Sequence, residues 1–210
     1  MPPKVKCKKE DIVSVAFEIA RESGPQALTA REVASRMGIS TQPIFTCFSS
    51  MDELKTAVYA RASDFFQNYL GEGMKQEIPF LGVGKQYINF AKQEKELFKM
   101  MFLDKTENAR IRSADALKKA QEFVLGSVMK NYDMDSETAM HFIRNLWVTS
   151  VSLAVMIVMD DSPFTEDDIG VIFSEISLSL CKAYKEIPGM VKGEYDKGAI
   201  FDRLVGKKHR

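Results

Sequence analysis

Between residues 28 and 54 the chain reads LTAREVASRMGISTQPIFTCFSSMDEL, two short helical segments separated by a glycine. Few arrangements are open to such a stretch. Thr29 followed by Glu32 forms a capping box, in which the hydroxyl and the carboxylate each satisfy a backbone N–H at a helix start. Val33, Ala34 and Met37 then repeat on one face, and Gly38 sits where the helix closes in a left-handed residue. Ile39 is placed to plug the core between the two helices, and Ser40 to cap the second. Because Pro43 has no N–H, the Ser40 bond has to go to the N–H of Gln42. Ile44 and Phe48, four apart, face inward, which leaves Thr41, Gln42, Phe45 and Thr46 on a face able to enter a major groove. The bare pattern also fits an ordinary helical hairpin with a glycine turn.

The flanks add context. Residues 9–23 read as an amphipathic helix, with Ile12, Val15, Ala16, Ile19 and Ala20 on one stripe, stopped by Ser23-Gly24-Pro25. Ser49 or Ser50 can cap a long helix that begins Met51-Asp52-Glu53-Leu54, its acids placed as the helix dipole favours. That helix runs to about residue 71, where Gly71, Gly73, Pro79 and Gly82 mark a loop-rich zone and a hinge between head and body. Further helices are expected over about 83–93, 95–103, 108–131 and 137–160. Thr165 with Asp168 opens a last long one, to about 187. No alternating strand pattern competes, so the expected fold is all-α with about nine helices. Residues 1–50 form a three-helix head, 51–190 a larger helical body and 191–210 a tail. In that tail Ile200, Phe201, Leu204 and Val205 line one apolar helical face, and Lys207, Lys208, His209 and Arg210 read as solvated.

The first 65 or so residues resemble the tetracycline-repressor (TetR/AcrR) family of bacterial transcriptional regulators. The likeness is carried by IVSVAFEIARESG, LTAREVASRMGIS and PIFTCFSSMDEL, with fainter echoes in QYINFAKQEKELFKMMF and NLWVTSVSLAV. It implies a helix-turn-helix head that binds double-stranded DNA and a body that binds a small-molecule effector and forms a homodimer. Residue by residue, it implies DNA contacts from Thr29, Arg31, Ser40, Thr41, Gln42, Pro43, Phe45, Thr46 and Cys47. Gln42 suits adenine N6 and N7 bidentately, and Phe45 and the Thr41 methyl suit a thymine methyl. Cys47 is either a backbone contact or a small residue at the core's edge. The chain departs from the family where Tyr is common and it has Phe45, and where Lys is common and it has Met51. Both changes remove hydrogen-bonding groups that usually grip phosphates. Val151 and Ser152 stand where related C-terminal domains often have His-Gly.

Charge is neutral, with 29 basic and 29 acidic residues, so no strongly basic surface announces nucleic acid. The local excess is Lys4, Lys6, Lys8 and Lys9, with no acid before Glu10; it suits either an arm that follows a phosphate backbone or a solvated tail. Cys7, Cys47 and Cys181 are odd in number and lack metal-ligand spacing, which points to the cytoplasm. Pro2-Pro3-Lys4 does not begin a signal peptide, and the apolar run over 151–159 is too short to span a bilayer. The two histidines, His141 and His209, have no ligand partners at helical spacing, and Gly82-Val83-Gly84 is no dinucleotide loop. No metal, cofactor, membrane association or enzymatic activity is expected.

Two late helices each have more than one face fit for burial. Ile143, Leu146, Trp147, Ser150, Ala154 and Val158 form one stripe; Asn145, Thr149, Ser152, Met156 and Met159 form another. Ile169, Ile172, Phe173, Ile176, Leu180 and Tyr184 form a third, beside the small residues Gly170, Ser174, Ser177 and Cys181. Thr149, Ser152, Met156, Gly170, Ser174, Ser177 and Cys181 are the candidate dimer interface, where small side chains let helix axes approach. Ordinary intrachain packing is the alternative. Tyr87, Phe90, Phe98, Met101, Phe102, Phe123 and Trp147 are candidate walls of an effector cavity. Arg144, with Asn89, Gln93 and His141, can orient a ligand there. Three functional classes follow: a ligand-responsive dimeric repressor on a palindromic operator, a helical interaction protein without specific DNA recognition, and a helical enzyme.

Overall fold

The computed structural model describes residues 7–104 and 113–206. Lys4, Lys6, the helix start expected at 108 and the terminal residues 207–210 lie outside the described residues. Ten α-helices and no strand are present among the described residues: α1 (Lys9–Ser23), α2 (Ala30–Met37), α3 (Gln42–Cys47), α4 (Met51–Gly73), α5 (Pro79–Gln93), α6 (Lys95–Phe98), α7 (Ser113–Tyr132), α8 (Ser136–Val158), α9 (Glu166–Glu186) and α10 (Lys197–Leu204). A π-helical turn over Lys99–Leu103 continues α6. The all-α expectation holds.

Packing divides the chain into two compact units, one of residues 1–119 with 150–162, the other of 120–149 with 163–210. In the first, α1 buries Ile12, Ala16, Phe17, Ile19 and Ala20, α2 buries Val33 and Ala34, and α3 buries Ile44. Leu54, Val58 and Ala62 recur at four-residue steps on α4, so one stripe of the long helix runs through the head's core. The head therefore packs as one body with α4 to α6, although its end at residue 50 is legible as the start of α4.

Gly73 and Gly82 do not form the expected hinge. α4 continues through Gly73, and a Cβ added to either glycine would overlap the backbone of the other. The pair serves close approach of α4 and α5 instead, which glycine alone permits. Pro79 occupies the first turn of α5, where its missing N–H costs no hydrogen bond, and so starts that helix four residues earlier than the apolar pattern suggests.

In the second unit Val124, Val128, Met134, Ala139, Phe142, Ile143, Leu146 and Ile169 are buried. Tyr132 stacks on Phe142 at 4.9 Å between ring centroids, and Asn145 Nδ2 donates to the Tyr184 hydroxyl at 2.8 Å. Thr165 and Asp168 form the expected capping box at the start of α9. Helix α8 is long and apolar enough, by length and composition, to cross a membrane, with a mean hydropathy of 1.4; nearly half of that window is buried within the protein. The tail helix α10 leaves Phe201, Leu204 and Val205 exposed.

Candidate nucleic-acid interface

The α2–α3 hairpin is closed by local chemistry. Gly38 adopts φ 65°, ψ 31°, the left-handed conformation that ends α2, and the Ile39 N–H donates to the Ala34 carbonyl at 3.0 Å. The Glu32 N–H donates to Thr29 Oγ1 at 3.2 Å, so half of the expected capping box forms. The reciprocal half does not. The Thr29 N–H already donates to the Ala27 carbonyl at 2.9 Å, and the Glu32 carboxylate accepts from Arg36 Nε at 3.0 Å. Arg36 also reaches Glu22 at 2.6 Å and so ties α2 to the end of α1; these two partners raise its pKa.

α3 starts one residue later than the Ser40 cap implies. Thr41 is its N-cap, in helical rather than extended conformation, and makes no side-chain cap bond. Its carbonyl accepts from Ile44 N–H at 3.1 Å and Phe45 N–H at 3.4 Å. With Pro43 lacking a donor and the Ile44 donor already satisfied, little is left for a side-chain cap to serve.

Within α3 the two faces separate cleanly. Ile44 and, just beyond the helix, Phe48 are fully buried, as their spacing requires. Ser40, Gln42, Phe45 and Thr46 are exposed, as are Thr29 and Arg31 beside them; Thr41, Pro43 and Cys47 are half-buried. Phe45 leaves 50% of its surface in water. The Thr46 hydroxyl donates to the Gln42 carbonyl at 3.0 Å, an intrahelical bond that uses its one donor and leaves the oxygen able to accept from a base. Cys47 Sγ lies 3.9 Å from the carbonyl oxygen of Cys7, at the edge of the core.

The junction of α3 and α4 is clamped by Glu53. Its carboxylate accepts from the Ser49 N–H at 2.7 Å, the Ser49 hydroxyl at 2.8 Å and Lys9 Nζ at 2.9 Å. The Lys9 bond, followed by those from Ser49, lowers its pKa from 4.5 to about 2. Lys9 Nζ also sits 4.6 Å over the Phe48 ring. Lys9 is thus engaged by the protein itself, and of the described N-terminal lysines expected to meet phosphate, Lys8 alone is outside a described ion pair. Ser50 caps α4, its hydroxyl accepting from Glu53 N–H at 3.2 Å.

The other end of α1 is held from within. Arg21 grips Glu94 with both arms, Nε to Oε2 at 2.7 Å and Nη2 to Oε1 at 2.6 Å, and its guanidinium lies 5.2 Å over Phe65. Glu94 is only 5% exposed, a buried carboxylate made tenable by that bidentate partner. Its hydrogen bond to Glu94 is the main reason the Arg21 pKa is raised. Neither this clamp nor that of Glu53 is visible in the sequence, because the partners lie 73 and 44 residues apart.

The candidate effector residues are placed differently from one another. Tyr87, Phe90, Phe98 and Met101 are buried in the first unit with Phe102 beside them. Phe66, absent from the expected set, meets Tyr87, Phe90 and Phe102 at 6.0, 4.8 and 5.3 Å between centroids. Burial pushes the Tyr87 phenol well above its ordinary pKa. Phe123, Arg144 and Trp147 belong to the second unit, where Phe123 and Arg144 are exposed and Trp147 is half-buried. Among the candidate dimer residues, Ser152, Met156, Gly170 and Ser174 are exposed, Thr149 and Cys181 half-buried, and Ser177 buried with its hydroxyl donating to the Ser174 carbonyl. Beside them Val171 and Leu178, seven apart on α9, are 54% and 69% exposed, and Val148 on α8 is also exposed. The seven-residue spacing of Val171 and Leu178 on one face of α9 is the sequence signal that marks them.

Residues 12–58 match the family described as "Bacterial regulatory proteins, tetR family". No curated protein matches the chain. Among solved structures, the chain resembles one described as "Crystal structure of multidrug binding protein EbrR complexed with imidazole". The two are 16% identical with a TM-score of 0.52, over 80% of this chain and 93% of that one. The likeness is one of fold, extending over the helical body as well as the head.

Proposed function

We propose that this chain, whose head belongs to the tetR family of bacterial regulatory proteins, is a DNA-binding transcriptional regulator that represses from a palindromic operator as a homodimer. The observation that carries this reading is the outward face of α3: Gln42, Phe45 and Thr46 stand exposed while Ile44 and Phe48 anchor the helix from beneath. Gln42 reads a base, Phe45 and the Thr41 methyl meet thymine methyls, and Arg31 and Thr29 reach the flanking edge or phosphates. Ser40, Pro43, Thr46 and Cys47 complete the contact surface.

Pairing of two copies through α8 and α9 accounts for the exposed Val148, Val171 and Leu178 beside the small residues Gly170 and Ser174. Two recognition helices then fall about 34–36 Å apart, one duplex turn. A mostly apolar small molecule, favoured by the aromatic cluster of Phe66, Tyr87, Phe90, Phe98 and Phe102, releases the operator by preferring a different head spacing. The structurally similar EbrR is a multidrug binding protein, which supports the same class of effector. Regulation rather than catalysis is the activity, and the cytoplasm its place.

Selection of genomic fragments by the purified protein, followed by footprinting, tests the reading. Two protected half-sites per site support it; no selective enrichment overturns it. A thermal-shift screen that finds no stabilising apolar compound removes the effector. A second reading, an interaction protein without specific DNA recognition, is favoured by Phe45 on the outer face and by the engagement of Lys9 with Glu53. Binding without salt dependence or sequence preference would select it.

A further inference from the structure

We infer that Cys7 and Cys47 are a thiol pair that closes to a reversible disulfide on exposure to peroxide, tying the N-terminal arm to the recognition helix and weakening its hold on DNA. The effect on DNA rests on the regulator reading; the bond itself does not.

The fold brings together two cysteines 40 residues apart. Cys47 Sγ stands 3.9 Å from the Cys7 carbonyl oxygen, and both residues are half-buried with free thiols. A carbonyl oxygen lies about 2.4 Å from its own Cα, so the Cys47 sulfur is within about 6 Å of Cys7 Cα. A disulfide holds its two Cα atoms about 4.4–6.8 Å apart, and closing this pair draws Cys7 toward Cys47 until that spacing is met. The Cys7 thiol now turns toward the Lys8 carbonyl at 4.0 Å, and it needs a side-chain rotation to face Cys47. Cys7 precedes α1, so the rotation disturbs no helical backbone.

Burial, then the nearby Cys47 and Asp11, raise the Cys7 pKa, which keeps that thiol protonated at neutral pH. In the proposed step Cys7 is the resolving thiol and Cys47 meets the oxidant. Its thiolate attacks one peroxide oxygen; the O–O bond breaks, hydroxide leaves and takes a proton, and Cys47 becomes a sulfenic acid. Cys7 sulfur then attacks Cys47 sulfur, the S–O bond breaks, and the hydroxyl leaves with the Cys7 proton as water. Two thiols are oxidised by two electrons and one peroxide is reduced to two waters. A dithiol reductant reverses the step.

The closed ring would enclose α1, α2 and α3. Cys47 follows Thr46 and lies two residues from Phe45, while Cys7 sits among Lys4, Lys6 and Lys8. An arm held at Cys47 cannot follow a phosphate backbone freely, and each lysine withdrawn from phosphate lowers both affinity and salt dependence.

The test uses the full chain, reduced and then treated with hydrogen peroxide. Peptide mass spectrometry and thiol counting should show three thiols becoming one, with Cys7 joined to Cys47 and reversal by dithiothreitol; in Cys181→Ser two thiols should become none. On a duplex obtained by selection, the oxidised protein should bind about fivefold or more weakly and with a shallower salt slope. Cys7→Ser should bind as the reduced wild type does and ignore peroxide, and Cys47→Ser should form no cross-link under the same treatment. Three surviving thiols, over-oxidation without the cross-link, or equal binding by the cross-linked and reduced forms would each overturn the inference. Absence of binding by the reduced protein would instead sink the regulator reading, and the mass measurement would still decide the bond.

Discussion

The inner and outer faces of α3 are drawn from the same six-residue helix and the residues beside it, yet they answer to different demands. Ile44 and Phe48 are sealed in the head's core, so their identities are fixed by packing. Gln42 and Phe45 are exposed, so the fold asks almost nothing of them. A half-exposed phenylalanine beside an exposed amide is a surface that a partner outside the chain can use. The contrast teaches where function resides: substitutions on the inner face should cost folding, and those on the outer face should cost recognition.

The largest effect should come from within. Phe48→Ala removes a fully buried ring and should destabilise the protein by about 3–5 kcal/mol in urea denaturation. A loss below about 1 kcal/mol would mean that the inner face is not the anchor. Next in size is Arg21→Ala, which leaves the Glu94 carboxylate buried and unpaired. Because Arg21 is partly exposed, about 2–3 kcal/mol is expected, short of a fully buried pair. Gln42→Ala crosses to the outer face. Stability should move by no more than about 0.5 kcal/mol, and discrimination at one base position per half-site should fall by about 1–3 kcal/mol.

The smallest effect lies at the edge between the faces. Glu53 has its pKa lowered from 4.5 to about 2 by Lys9 and Ser49. A depressed carboxylate contributes stability above its ordinary pKa and loses it as pH falls through the folded value. Wild type should therefore exceed Glu53→Gln in stability at neutral pH, and the gap should close between pH 4.5 and about 2. Since Glu53 is exposed and salt screens it, the gap should also shrink at high ionic strength. A gap that does not vary with pH would show that the clamp does not depend on the carboxylate's charge.

Much of this architecture was legible because the signals are local. The turn at Gly38, the caps at Thr29, Ser50 and Thr165, and the four-residue spacing of Ile44 and Phe48 are all decided within one or two helical turns. What escaped depends on distance. Glu32 turns to Arg36 because Ala27 already holds the Thr29 N–H, and Gly73 faces Gly82 rather than solvent. Arg21 with Glu94, and Cys47 with Cys7, are partnerships that chain spacing cannot announce. The aromatic residues of α5 and α6 were legible as apolar, but periodicity does not distinguish a packed cluster from the wall of a cavity. Nor does it tell Phe123, exposed in the second unit, from its buried counterparts.

Quantitative binding of the Gln42→Ala protein to every single-base variant of a selected operator, across a range of salt, tests the outer face most directly. Recognition by α3 predicts that one base position per half-site becomes tolerant while the salt slope and the melting temperature hold. An equal loss on every sequence with a shallower slope would assign Gln42 to phosphate, and no change on any sequence would mean that α3 does not read the duplex at all.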